Sequence, residues 1–146
     1  IVARNAQDAL IEVFPSMEDS LRAWHERLQQ HLIALDDSLR LILHDSIGRS
    51  FAIFHPSLTY LAQDYGLTQL SIEHEGKDPS PQQLKAVIDQ IRDKEIQAIF
   101  VQKEFNQDHA RAIAGAVGIP VVVIDPLSAD LDLNILRIAR QIAHNH

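Results

Sequence analysis

The sequence predicts an α/β protein, with an open, mainly parallel four-stranded sheet, helices on both faces, and one long helix ahead of it. Three observations carry this expectation. Four short apolar runs are each followed by a segment of helix length, the rhythm of strand–crossover–strand units. The runs are continuous rather than alternating, which suits strands buried on both faces. Ahead of them, between Ser16 and Gly48, apolar residues recur at steps of three and four with no proline or glycine to interrupt them.

The elements follow in order. Residues 3–14 make a short amphipathic helix that Pro15 ends. Ser16 reads as the next N-cap, with Asp19 in the capping-box position. Leu21, Trp24, Leu28, Leu32, Leu35, Leu39 and Ile42 then form one apolar stripe over about seven turns, opposite a solvated face with Glu26, Arg27 and Asp37. After Gly48 comes the first apolar run, 51–54, and a helix near 57–65 that Gly66 can cap in the left-handed conformation. The second run is 69–72. A turn-rich stretch, 75–79, leads to Ser80 as N-cap, Pro81 in the first helical position and Gln83 as box partner of a helix to about Lys94. The third run, 98–101, precedes a helix that Asn106 caps and Gly118 stops. The fourth, 121–124, is almost purely β-branched, and Asp130 opens the last helix. The change of rhythm near residue 48 divides the chain into a helical segment, 1–47, and an α/β lobe, 48–146.

Composition narrows the function classes. At 146 residues the chain is of single-domain size and can bury a proper core. Its 46% hydrophobic and 23% charged residues exclude a disordered or collagen-like chain. No run approaches the roughly eighteen apolar residues of a membrane-spanning helix. Thirteen basic against twenty acidic residues give a net charge of −7, which argues against nucleic acid or an anionic membrane surface as the main partner. Without cysteine there is no disulfide, thiolate nucleophile or thiolate metal site. The chain opens at Ile1 with neither an initiator Met nor a signal peptide, which reads as a processed product or a fragment of something longer.

In parallel sheets ligands gather at the carboxyl ends of the strands. Here the first run is followed by His55, the second by Glu73, His74 and Glu75, the third by Gln102 and Glu104, and the fourth by Asp125. Lys103 is the one cation close to these groups in sequence. His55 and Asp125 both precede proline, which pushes each toward an extended conformation and so stiffens a strand terminus. Rigid presentation is what a metal ligand or catalytic group requires. His55 fits a core or capping histidine as well, and Asp125 a turn or helix-cap aspartate. No Gly-rich phosphate loop and no G-x-S-x-G elbow occurs. His25, His31, His44 and His109 fall on helices as surface or packing residues, and Ser57 reads as helix N-terminal.

The segment Phe51–Leu61, with His55-Pro56-Ser57, followed by Asp64-Tyr65-Gly66-Leu67, resembles the substrate-binding proteins of zinc and manganese ABC importers. Asp78-Pro79-Ser80-Pro81 is similar to that family's P-S-P helix start, and Val123-Ile124-Asp125-Pro126-Leu127 to its late D-P-L motif. The likeness spans essentially the whole chain, with residues 5–43 resembling the family's region around the linker helix between its two lobes. It implies a periplasmic or lipid-anchored receptor that captures Zn2+, with Mn2+ as the alternative, and hands it to an ABC permease without catalysis. It also implies that His55 and Asp125 are metal ligands; Glu73, His74 and Glu75, which follow the second run, can lie near the mouth of the site. The family's amino-terminal lobe, with its other histidine ligands and its D-P-H-x-W motif, is missing from this sequence, and a carboxylate common after the third strand is Gln102 here. Two further readings stand beside it. One is a small hydrolase or isomerase using His55 and Asp125 as acid and base. The other is an interaction module pairing through the long helix at Leu28 and Leu35.

Overall fold

The computed structural model describes residues 2–73 and 80–145, and it has the α/β architecture predicted from the sequence. It divides into two compact units, Ile1–Ser38 and Leu39–His146.

The first unit is helical. α1 (Val2–Val13) stops ahead of Pro15, and Pro15–Met17 forms a 3-10 turn that runs straight into α2 (Glu18–Leu43). Ser16 therefore lies inside that turn and is not an N-cap, because the fixed φ of Pro15 begins the helical winding ahead of it. The first turn of α2 is pinned instead by Arg22 Nη2 on Glu18 Oε1 at 2.7 Å, an i,i+4 pair that also raises the pKa of the guanidinium. Trp24, expected in a buried stripe, is 50% exposed, and Leu32 is 47% exposed. A unit of two helices has too few elements to enclose a full stripe. Its buried polar residues are Gln7 and His25, and neither ring nitrogen of His25 has a hydrogen-bond partner among the described residues.

The second unit carries the sheet. Its elements are β1 (Ser50–Ile53), α3 (Thr59–Asp64), β2 (Thr68–Ser71), α4 (Pro81–Asp93), β3 (Ile99–Gln102), α5 (Asp108–Val117), β4 (Val121–Ile124) and α6 (Leu131–His144). The strand order is β2-β1-β3-β4 and every pairing is parallel, so all four carboxyl ends share one edge. In register, Ala52 stands between Leu70 and Ile99, and Phe100 stands between Ile53 and Val122. On one face Ala52, Phe54, Ile99 and Val101 pack with Val87 and Ile91 of α4 and with Ile113 and Ala114 of α5. Strand alternation sends Phe51, Ile53 and Phe100 to the other face, where Phe51 and Phe100 meet edge to face at 6.0 Å. Ile138, Ala139 and Ile142 of α6 are buried and lie outside the first cluster.

Burial on both faces holds for β1 and β3 but fails at the two edge strands: no residue of β2 is buried, and Val123 of β4 is 45% exposed. A β-branched run marks a strand without saying whether it lies at the centre of the sheet or, like β4, at its edge. The capping box of α4 is present: Ser80 Oγ accepts from Gln83 N–H, and Ser80 N–H donates to Gln83 Oε1 at 2.8 Å. Asn106 closes a turn by accepting from Asp108 N–H at 2.9 Å, while Gln107 holds the N-cap position of α5. Gly118 ends that helix at φ +78°, where a side chain would be strained. The predicted turn at 75–79 lies outside the described residues.

Candidate metal centre

The chain runs from β1 to β2 on one side and then crosses to β3 on the other, so the strand order reverses between β1 and β3. Crevices for ligands open at such a reversal. His55 stands just beyond β1 on that edge, and its hydrogen bonds define its posture. Nδ1 lies 3.0 Å from Glu73 Oε2, at the end of β2, and the Glu73 side chain is only 8% exposed. A carboxylate that is ionised can only accept, so in this pair Nδ1 donates; in the neutral imidazole Nε2 is then the nitrogen with a lone pair to offer. Phe105 stacks on the imidazole with centroids 4.9 Å apart and planes inclined by 18°. Phe105 is itself packed against the core beside Phe54, so a core residue sets the plane of the ring.

The loop bearing His55 is tied to the strands on both sides. Gln102 Nε2, at the end of β3, donates to the His55 carbonyl and to Ser57 Oγ, both at 2.7 Å. From β2, Gln69 Oε1 accepts the Leu58 N–H at 3.1 Å, and Gln69 Nε2 donates to Thr59 Oγ1 at 3.0 Å. Gln102 is buried, and its Oε1 has no hydrogen-bond partner among the described residues.

Asp125 follows β4, with β3 between it and His55. Its carbonyl accepts from Asn134 Nδ2 of α6 at 2.6 Å and from Ser128 N–H at 3.2 Å, which fixes the backbone. Its carboxylate is divided. Oδ2 receives Lys103 Nζ at 2.5 Å, while Oδ1 is buried without a hydrogen-bond partner among the described residues. The bond to Asp125 is the main cause of a raised Lys103 pKa, so the lysine stays cationic.

The structure thus sets His55 and Asp125 on one sheet edge and joins His55 to Glu73 and Asp125 to Lys103, with no hydrogen bond or ion pair between the two pairs among the described residues. Glu104 stands 4.0 Å from Lys103. His74 and Glu75 lie outside the described residues. No group of three or more His, Asp or Glu side chains able to hold a metal occurs among the described residues. Reading the sequence alone missed the roles of Gln69, Gln102, Phe105 and Asn134. It noted Glu73 and Lys103 but not their partners.

Solved structures share this fold. A crystal structure of ZnuA superposes with a TM-score of 0.91 at 35% identity, over 96% of this chain and 55% of that one. A ZnuA deletion mutant solved with zinc bound gives 0.87 at 34% identity, over 96% and 54%. The zinc-binding protein AdcA of Streptococcus pyogenes serotype M6 is 27% identical over 128 residues, which is 86% of this chain and 25% of that protein. The chain spans 50% of the length of relatives from Chlamydia muridarum and Chlamydia trachomatis, at 28% and 27% identity. The family model for zinc-uptake complex component A, periplasmic (ZnuA), matches residues 1–140, and the chain belongs to that family.

Proposed function

We propose that this chain is the carboxyl-terminal half of an extracytoplasmic receptor that captures a divalent transition metal and delivers it to an ABC permease, with His55 and Asp125 as its two metal ligands. The observation that carries the reading is the His55–Glu73 pair at 3.0 Å. Metal-bound histidines characteristically donate their second ring N–H to a carboxylate, which fixes the tautomer and makes the ligating nitrogen more basic. The Asp125 carboxylate, whose Oδ1 has no hydrogen-bond partner among the described residues, gives a second, anionic donor. Strands β1 and β4 are two sheet spacings apart, about 10 Å, which two inclined side chains and metal–ligand bonds of about 2 Å can bridge.

Nitrogen and oxygen donors without thiolate suit zinc, with manganese as the alternative. Relatives named for zinc binding and the zinc-bound ZnuA mutant favour zinc. A tetrahedral site needs four ligands, so the remaining positions are filled by the lobe that the full-length relatives carry, or by water. The role is capture and release without turnover, in the periplasm or anchored at the cell surface.

Calorimetric titration with zinc tests the assignment. His55→Ala and Asp125→Asn are each expected to weaken binding by tenfold or more, a loss of about 1.4 kcal/mol. Unchanged affinity in both variants rejects the site.

A further inference from the structure

Resting on the metal-site reading above, we infer that Lys103 is a built-in competitor for Asp125, a tethered cation that the incoming metal must displace. The backbone of Lys103 is fixed beside the site, because its N–H continues the β3–β4 ladder to the Ile124 carbonyl at 2.9 Å. From there Nζ reaches Asp125 Oδ2 at 2.5 Å, while Oδ1 of the same carboxylate is buried without a hydrogen-bond partner among the described residues. With Oδ1 buried, the oxygen that faces outward is the one the ammonium holds, so an incoming cation contests Oδ2.

The lysine is suited to leaving. Its side chain is 55% exposed, and an ammonium on a flexible four-carbon stem makes a point contact rather than the two-pronged clamp of a guanidinium. A resting place is at hand, since Glu104 Oε1 is already 4.0 Å from Nζ. When a divalent ion takes Asp125, the ammonium can swing toward Glu104 and water. Nothing covalent changes. Exposed ion pairs are weak, and the added repulsion between a single and a double positive charge is moderate in a largely aqueous setting. Lys103 should therefore weaken divalent binding roughly three- to tenfold.

Zinc titration of the 146-residue chain by calorimetry decides the matter. Lys103→Met should tighten binding roughly three- to tenfold, and Lys103→Arg, which keeps the charge and can hold Asp125 with two donors, should bind no tighter than the parent. In an Asp125→Asn background the gain from Lys103→Met should shrink, because the contested carboxylate is gone. Equal gains in both backgrounds indicate general charge repulsion and overturn the competitor role. So does unchanged or weaker binding in Lys103→Met while His55→Ala and Asp125→Asn still lose affinity, a result that leaves the metal site standing. Indifference of zinc binding to His55→Ala and Asp125→Asn removes the site and the inference together.

Discussion

The two ends of the candidate site are built differently. At the β1 end, the imidazole of His55 is held by a buried carboxylate, stacked on an aromatic ring anchored in the core, and carried on a loop tied to both flanking strands. At the β4 end, on the sheet edge, the backbone of Asp125 is fixed by Asn134, but among the described residues its side chain is held only by an exposed lysine. On the proposed reading, one donor is preorganised and the other is exchangeable. A receptor that must release its cargo can use both properties: a rigid ligand gives geometry, and a ligand with a competing partner limits affinity.

The contrast breaks most easily at Glu73. If the imidazole owes its orientation to this carboxylate, Glu73→Ala should lower zinc affinity roughly 10- to 100-fold, the usual loss on removing a metal ligand's hydrogen-bond partner. Glu73→Gln should lose less, because its amide oxygen can still accept from Nδ1–H. Calorimetry on both variants is sufficient. Parent-like affinity in Glu73→Ala would show that stacking on Phe105 alone holds the ring and that the β1 end is no better wired than the β4 end.

The sequence made this contrast only half legible. The two proposed donors could be singled out because proline follows each of them at a strand end, a local constraint that one dipeptide encodes. Their partners could not. That Glu73 meets His55 depends on β2 lying beside β1, and strand order has no signature in hydrophobic periodicity. Gln69 and Gln102 look like ordinary polar residues until their neighbours are known. The same limit explains Val123, whose β-branched run says strand but not edge, and Trp24, whose stripe marks a helix face but not what covers it. Ser16 failed for a different reason: a cap and a 3-10 turn use the same residues, and Pro15 decided between them. Of the local helix signals, the Ser80–Gln83 box and Asp130 as the cap of α6 were readable in full, while the N-cap of α5 fell on Gln107, one residue beyond Asn106.

A second test asks how much of the His55 posture comes from the loop rather than the ring. Gln102→Leu removes both bonds from Nε2, to the His55 carbonyl and to Ser57 Oγ, and also deletes the buried oxygen that has no partner among the described residues. The His55 carbonyl keeps the Ser57 N–H at 2.8 Å. The lost bonds outweigh the removed oxygen, so urea unfolding should show a loss of about 1–2 kcal/mol with an unchanged denaturant slope. Stability equal to the parent would mean that Gln69 alone secures the loop, and the clamp from β3 would be redundant.

The smallest effect belongs to the β4 end. Asn134→Ala deletes the 2.6 Å bond from Nδ2 to the Asp125 carbonyl, but that carbonyl retains Ser128 N–H at 3.2 Å and is not left orphaned. A hydrogen bond lost without an unsatisfied partner costs about 1 kcal/mol, and because Asn134 lies in the first turn of α6, alanine returns about half of that as helix propensity. The net loss in a denaturant titration should be about 0.5 kcal/mol. Zinc affinity should change by no more than about threefold, since Lys103, not Asn134, holds the carboxylate itself. If Asn134→Ala weakens zinc binding more than Glu73→Ala does, the order of the two ends reverses. The backbone at the sheet edge would then be the element that sets the metal geometry, and the wiring around His55 would serve only to stabilise the loop.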